Sequence, residues 1–395
     1  MDLRFSEADE VFRTAVTQWL ADNLVGEFAP LRGRGGPGDE HVLLEERRAW
    51  ERTLGGAGWT CVGWPKEYGG AGLTLQHLIV IADEMARADA PQARMFTISL
   101  IHLPGTLFPH GTEDQKRRYL AGVARGDVWC QGFSEPNSGS DLASLRCRAV
   151  RDGDHYVING QKIWSSYSMY ADHCILLTRT DPDAQKHRGI TYFIMDLRSP
   201  GVEVRPIRQA NGRSEFGEIF LTNVRIPAEN MIGRENNGWR VAQATLASER
   251  GVIAFEGAER QRHEIEAFYR QSLESGAAWL RDTQLHREFV GFLAEMQAGR
   301  RLLRRVLQES ESPDASASVL PSIVKLSGTV LRQRICSFMV RIAGVEGQEF
   351  AMLAEEPFGS PMFDFLSAFS GTIAGGTNEI QRNIVAERGL GMPRV

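Results

Sequence analysis

The sequence predicts an α+β chain in three consecutive parts: a helical N-terminal domain, a middle β domain built as a barrel or sandwich, and a C-terminal domain like a four-helix bundle. Two observations carry this. Apolar residues recur at three- and four-residue spacing up to about Arg125, give way to short β-rich runs near Asp127, and return to helical spacing from Gly238 onward. The strand-like runs also follow one another directly instead of alternating with helices, which argues for segregated layers and against a βαβ sheet. The domains are therefore placed at 1–125, 126–233 and 234–395.

In the first part, Phe12, Val16, Trp19 and Leu20, then Leu75, Leu78, Ile79, Ala82 and Met85, mark helix faces. Thr112 and Gln115 form a capping-box pattern ahead of Tyr119 and Leu120, and Gly/Pro-rich stretches at 33–38 and 69–72 separate the elements. In the second part, Cys147–Val150, His155–Ile158, Cys174–Thr178, Ile190–Met195, Val202–Val204 and Glu218–Leu221 read as strands. Asp152-Gly153-Asp154 and Asn159-Gly160 read as turns between them. In the third, the polar tract from Glu309 to Ser316 reads as an exposed loop between long helices. No internal repeat is visible.

Composition narrows the partners. The 395 residues, 42% of them hydrophobic, suffice for a large core. With 45 Lys plus Arg against 50 Asp plus Glu, the net charge of -5 gives no attraction for nucleic acid or an anionic membrane. The start lacks a basic region followed by an apolar run, so no signal peptide is expected, and no apolar stretch is long enough for membrane insertion. Five scattered cysteines without CxxC spacing suit reduced thiols in a cytoplasm, and no metal site is expected.

Two segments stand out chemically. Trp129-Cys-Gln-Gly-Phe-Ser-Glu-Pro-Asn-Ser-Gly-Ser-Asp141 crowds serines and backbone donors into a turn-rich loop, suited to a polar or anionic cofactor but equally readable as an ordinary connection. Asn159-Gly-Gln-Lys-Ile-Trp-Ser-Ser166 places an indole and two hydroxyls just after an expected hairpin turn. Together they resemble the flavin-binding middle domain of the acyl-CoA dehydrogenase family, with its Thr/Ser-Glu-Pro-x-x-Gly-Ser-Asp loop and Gly-x-Lys-x-Trp-x-Thr/Ser strand. Pro65-Lys-Glu-Tyr-Gly-Gly-Ala-Gly-Leu73 resembles an N-terminal signature of that family, and Gly375-Gly-Thr-Asn-Glu-Ile-Gln-Arg-Asn-Ile384, followed by Ala386-Glu-Arg388, a C-terminal one.

The resemblance implies FAD bound between the last two domains. Ser134 would bond the pyrimidine side of the flavin, Ser140 the pyrophosphate and Ser166 the N5, with Trp164 beside the ring and Phe133, Ser165, Thr377 and Glu379 in the same cofactor-binding set. The implied reaction is α,β-dehydrogenation of an acyl-CoA or carrier-bound acyl thioester, with electrons passed to an electron-transfer flavoprotein or similar acceptor. An α-carbon is a weak acid, so its thioester carbonyl needs hydrogen-bond donors, here the backbone at Gly375, and a carboxylate base of raised pKa.

Many family members carry a Glu immediately before the Gly-Thr of the C-terminal motif, where this chain has Gly375. Others place the carboxylate in a Glu-Arg pair on the helix that opens the C-terminal domain. Ser248-Glu249-Arg250 fits that position, making Glu249 the expected catalytic base. Thr245, Glu249, Val252 and Glu256 share one helical face. Glu379 reads equally as a helix-start carboxylate, while His102 and His110 read as packing or surface residues. The Arg300-Arg301 and Arg304-Arg305 pairs read as a solvated stripe with salt-bridge roles.

The pattern departs from the family at one end of the cofactor. The Arg-x-x-Phe-Gly loop of homotetrameric relatives is absent between Ser275 and His286, and Arg341, before Ile-Ala-Gly-Val-Glu-Gly347, is the expected substitute charge. A homodimer or homotetramer is expected, with a hetero-oligomer left open. The alternatives are a flavin monooxygenase on the same fold and a partner subunit that completes another chain's site.

Overall fold

The computed structural model describes residues 6–248, 252–310, 318–349 and 360–393. By packing, the chain divides into two compact units, and neither is a continuous stretch of sequence: Gly35–Leu73 with Gln92–Glu249, and Met1–Arg34 with Thr74–Pro91 and Arg250–Val395.

The first unit is built on one eight-stranded mixed sheet. Its strands are β1 (Trp129–Gly132), β2 (Arg148–Asp152), β3 (His155–Ser166), β4 (His173–Arg179), β5 (Ile190–Asp196), β6 (Val202–Ile207), β7 (Phe216–Pro227) and β8 (Met231–Ile232). The order is β6-β7-β3-β2-β4-β5-β8, with β1 parallel to β4. Both faces of β4 and β5 are covered, which is why these strands read as continuous apolar runs. Ile175, Leu177, Tyr192 and Ile194 face one core with α4 (Leu103–His110), α5 (Glu113–Ala124) and α6 (Gly238–Ser248), while Cys174, Leu176, Phe193 and Met195 face another with β3 and β7. The capping box at α5 forms as the sequence predicts, Thr112 accepting from the Gln115 N–H at 3.2 Å and Gln115 from the Thr112 N–H at 3.1 Å. In the Pro65–Leu73 motif, a Cβ on Gly70 would lie 2.1 Å from the Trp64 carbonyl oxygen, so the chain doubles back there only because the side chain is missing.

One expected turn is not a turn. Asn159-Gly160 lies inside the twelve-residue β3, whose pairing with β7 shifts register between Ile158 and Gly160. The Asn159 side chain closes the irregularity: its carbonyl oxygen accepts the Asn223 N–H at 2.9 Å, and its amide donates to the Asn223 side chain at 3.1 Å. An Asn-Gly pair offers hairpin geometry, but cross-strand pairing selects a bulge here.

In the second unit, α1 (Glu7–Asn23) and α3 (Leu75–Arg87) pack with α7 (Val252–Ser275), α8 (Thr283–Ser310), α9 (Leu320–Ile342), α10 (Pro361–Gly371) and α11 (Asn378–Ile384). Helix α8 runs on through Glu309 and Ser310, the first residues of the expected loop, and 311–316 lie outside the described residues. No described helix is long and apolar enough to cross a membrane.

This unit is fastened by charge as well as by apolar contacts. Arg13 reaches Asp83 at 2.8 Å and also pairs with Glu84, while Arg262 bonds Asp83 at 3.3 Å and Glu259 at 2.9 Å. Arg300 is bonded to the fully buried Glu259, so it belongs to this internal network and not to a solvated stripe. Asp83, Glu259 and His263 come close enough to one another to hold a metal ion, but the carboxylates already accept guanidinium donors. Burial alone would raise the Asp83 pKa. Bonds and charge from Arg13, with a bond from His263, outweigh that and hold it at about 2. A depressed folded-state pKa contributes stability above the ordinary value near 3.8 that is lost as pH falls toward 2. Melting temperatures of the parent and Asp83→Asn are therefore expected to converge between about pH 4 and pH 2.

Candidate functional site

The Ser134 loop is clamped onto β3 from below. Lys162 has its side chain fully inside the protein, where its ammonium donates to the Phe133 carbonyl at 3.0 Å and to a Glu135 carboxylate oxygen at 2.8 Å. The Glu135 carboxylate also accepts the N–H groups of Arg146 at 2.7 Å and Cys147 at 2.8 Å. The Ile163 N–H donates to the Ser134 carbonyl at 2.9 Å. The motif lysine and glutamate thus form a buried, hydrogen-bonded ion pair that fixes the loop against the strand. Both residues stand inside the motif segments, where the sequence alone marks a role for neither.

Beyond Lys162 the β3 pairing slips again, and Trp164 occupies left-handed backbone at φ +62° with its side chain half exposed. Backbone strain of this kind clusters at functional sites, where the surroundings hold it in place. Ser165 pairs with Gly217 and Ser166 with Phe216. The Ser165 hydroxyl is fully buried with no hydrogen-bond partner, and among the described residues the side chains of Ser134 and Ser166 have none within the protein. Ser140 sits exposed at the loop tip, whose base is tied by the Ser138 and Ser144 hydroxyls, each donating to the Asp141 carbonyl at 2.8 Å. The Phe133 ring packs inward, edge-on to Tyr192 at 5.7 Å.

In the helical unit, Gly375 and Gly376 take left-handed φ of +64° and +81°, and Gln381 donates to both carbonyls, at 3.0 and 3.3 Å. A Glu at 375 would be strained in that conformation. Thr377 caps α11, accepting the Ile380 N–H at 3.3 Å. Glu379 follows it, exposed and 3.1 Å from Arg382. The backbone N–H at the helix start holds its pKa below the ordinary value, with Thr377 and Arg382 adding to the shift. Arg341 donates to Glu288 at 2.6 Å, and its guanidinium lies over the Phe338 ring.

Glu249 lies outside the described residues. The helix leading to it, α6, is described to Ser248. Thr245 is buried in a hydroxyl chain, 3.1 Å from the Tyr192 hydroxyl and 2.6 Å from that of Thr106, which in turn donates to the His102 carbonyl at 2.6 Å.

The sequence matches the acyl-CoA dehydrogenase N-terminal domain over residues 6–127, the middle domain over 130–224 and the C-terminal domain over 236–390. The chain belongs to the acyl-CoA dehydrogenase family. It is 41% identical to acyl-CoA dehydrogenase IpdE1 of Mycobacterium tuberculosis across 98% of both chains. Among solved structures it resembles a steroid acyl-CoA dehydrogenase, Tcur3481-Tcur3483, with a TM-score of 0.86 and 31% identity across the whole of both chains. It also resembles the ChsE4-ChsE5 complex of Mycobacterium tuberculosis, with a TM-score of 0.77 and 30% identity, again across the whole of both chains.

As an acyl-CoA dehydrogenase the protein is a flavoprotein oxidoreductase of lipid metabolism, in a family that is generally FAD-dependent. The donor set around β3 fits such a cofactor. Uncommitted hydroxyls and an outward indole, held on a rigid strand, suit a ring system that is both flat and hydrogen-bonding.

Proposed function

We propose that this acyl-CoA dehydrogenase introduces an α,β double bond into an acyl-CoA, with FAD as its cofactor and Glu249 as its base. The cofactor reading rests on one observation above others: the β3 bulge turns Trp164 outward in the same segment that carries the uncommitted Ser166 hydroxyl. Bound FAD would supply the acceptor for the β-hydride. Ser134 and Ser166 would donate to its ring, Trp164 would flank it, and Ser140 and Glu379 would serve the rest of the cofactor, with Arg341 at the pyrophosphate in exchange for its pairing with Glu288.

The base assignment rests on Gly375, whose left-handed backbone disfavours the carboxylate that other family members carry there. Glu249 would take the α-proton while the Gly375 backbone donates to the thioester carbonyl, stabilising the enolate character that develops as the proton leaves. CoA is favoured over a carrier protein because the relatives at 41% and 40% identity are named acyl-CoA dehydrogenases. The steroid acyl-CoA dehydrogenase at TM-score 0.86 favours a bulky polycyclic acyl group. An electron-transfer flavoprotein is the proposed acceptor. Five cysteines, all buried and free, suit a reducing cytoplasm.

Anaerobic titration of the purified protein with a steroid-derived acyl-CoA and with straight-chain acyl-CoAs tests this reading. Bleaching of the visible flavin band by the first, without NADPH or oxygen, is the expected result. A chain without flavin, or one that needs NADPH, contradicts it. A second reading, that this chain works with a different subunit, is favoured by the two-component names of both solved relatives. Native mass spectrometry of the chain expressed alone separates the two: a flavin-loaded homo-oligomer supports the homodimer or homotetramer, and a flavin-poor monomer the paired assembly.

A further inference from the structure

Three residues beyond the Trp164 bulge, the chain takes left-handed backbone a second time, at Tyr167 with φ +55°. Two aromatic residues in this conformation bracket Ser165 and Ser166. Such geometry persists only where the surroundings over-determine it. Lys162 and Ser134 fix the segment on its N-terminal side. On its C-terminal side the holding group is Glu215, a residue outside every motif of the sequence.

Glu215 binds the segment twice over. Its carbonyl accepts the Tyr167 N–H at 2.8 Å, the last bond after the Ser165–Gly217 and Ser166–Phe216 pairs. Its carboxylate, almost fully withdrawn from water, accepts the Arg94 guanidinium at 2.8 Å, and its N–H donates to the Gln209 side chain at 3.0 Å. Arg94 is itself anchored, because the next two residues, Met95 and Phe96, are buried in one apolar cluster with Val128 and the Tyr167 ring. The Tyr167 hydroxyl is buried beside the same guanidinium. The Tyr167 backbone therefore meets Glu215 and its hydroxyl meets Arg94, while its ring packs with the two residues that follow Arg94. A pair that only added stability would have no reason to converge on one strained residue next to the uncommitted hydroxyl of Ser166.

We propose that Arg94 and Glu215 are positioning residues: their ion pair sets the backbone of residues 164–167 and through it the placement of the Ser166 hydroxyl and the Trp164 ring. The consequence for the cofactor rests on the flavin reading above; the positioning does not. The charge of the pair is what matters. Arg94→Lys keeps it, whereas Arg94→Met leaves the buried Glu215 carboxylate with a neutral neighbour and Glu215→Gln takes the counter-charge from a partly exposed Arg94.

Hydrogen exchange in the flavin-free protein reads the positioning directly. In Arg94→Met and Glu215→Gln, the amides of residues 164–168 are expected to exchange at least about tenfold faster, while those of β4 and β5 stay near the parent and Arg94→Lys recovers most of the protection. Exchange within about twofold of the parent in both charge-removing variants overturns the proposal, as does uniform acceleration throughout the sheet. If neither folds, Arg94→Lys and Arg94→Gln carry the same comparison. FAD affinity and the midpoint potential of the bound flavin, measured on the same proteins and on Ser166→Ala, read the cofactor assignment separately. Faster local exchange with weaker FAD binding supports both. Faster local exchange with FAD affinity unchanged in every variant, Ser166→Ala included, upholds the positioning and removes its link to flavin.

Discussion

Glu249→Gln is expected to retain a bound, yellow flavin and to lose reduction by acyl-CoA by roughly 10²- to 10⁴-fold, the usual contribution of a positioned general base. The substitution keeps the side-chain shape and its hydrogen-bonding length, so cofactor binding is untouched, but a carboxamide cannot accept the α-proton. Stopped-flow bleaching under anaerobic conditions measures the effect, and exchange of the substrate α-proton with D₂O isolates proton removal from hydride transfer. Near-parental rates in both assays would remove Glu249 from the mechanism. Moving the carboxylate to the position used by other family members, in Glu249→Gln with Gly375→Glu, is expected to restore little. The backbone at 375 has φ +64°, and a side chain there costs about 1–2 kcal/mol in strain.

Lys162→Met is expected to have the largest effect on stability. It removes the fully buried member of an ion pair and leaves the nearly buried Glu135 carboxylate charged in the Ser134 loop, a loss of about 3–5 kcal/mol. At about 1 °C per kcal/mol for a chain of 395 residues, the melting temperature of the flavin-free protein should fall by roughly 5 °C. FAD retention should fall with it, because the Phe133 carbonyl and Glu135 then lose the donor that draws the loop onto β3. Adding Glu135→Gln to this variant removes the uncompensated charge and should recover part of the loss. Recovery is incomplete, since the carboxamide is a weaker acceptor for the Arg146 and Cys147 N–H groups. A melting temperature unchanged by Lys162→Met would mean that the pair is not a clamp.

How far the sequence reveals this protein depends on how local each signal is. The capping box at Thr112 is legible because both partners lie within one turn, and β4 and β5 because burial on both faces leaves an unbroken apolar run. Asn159-Gly160 misleads for the opposite reason: whether it turns or bulges is decided by Asn223, sixty-four positions away. β1, four residues without alternation, has its partner in β4 and offers no local pattern at all. At the site, Ser134, Trp164 and Ser166 stand out by family motif, yet what holds them does not. Lys162 and Glu135 are twenty-seven residues apart, and Arg94 and Glu215 are separated by 121. Arg300 reads as a surface charge because nothing near it in sequence announces the buried Glu259, forty-one residues earlier.

The interleaving of the two packing units has a consequence for how the protein is made. Helices α1 and α3 leave the ribosome early, but the helices they pack against, α7 onward, are encoded after the whole sheet. The apolar face of α3, where Ile79 and Ala82 meet Leu303 of α8, must therefore stay uncovered while the sheet unit, itself missing nothing that comes later, closes around its own two segments. Synthesis thus favours a state with one finished unit and two waiting helices. That interval is when a chaperone would find the most to hold, and a fragment ending just after residue 249 would remain in it indefinitely.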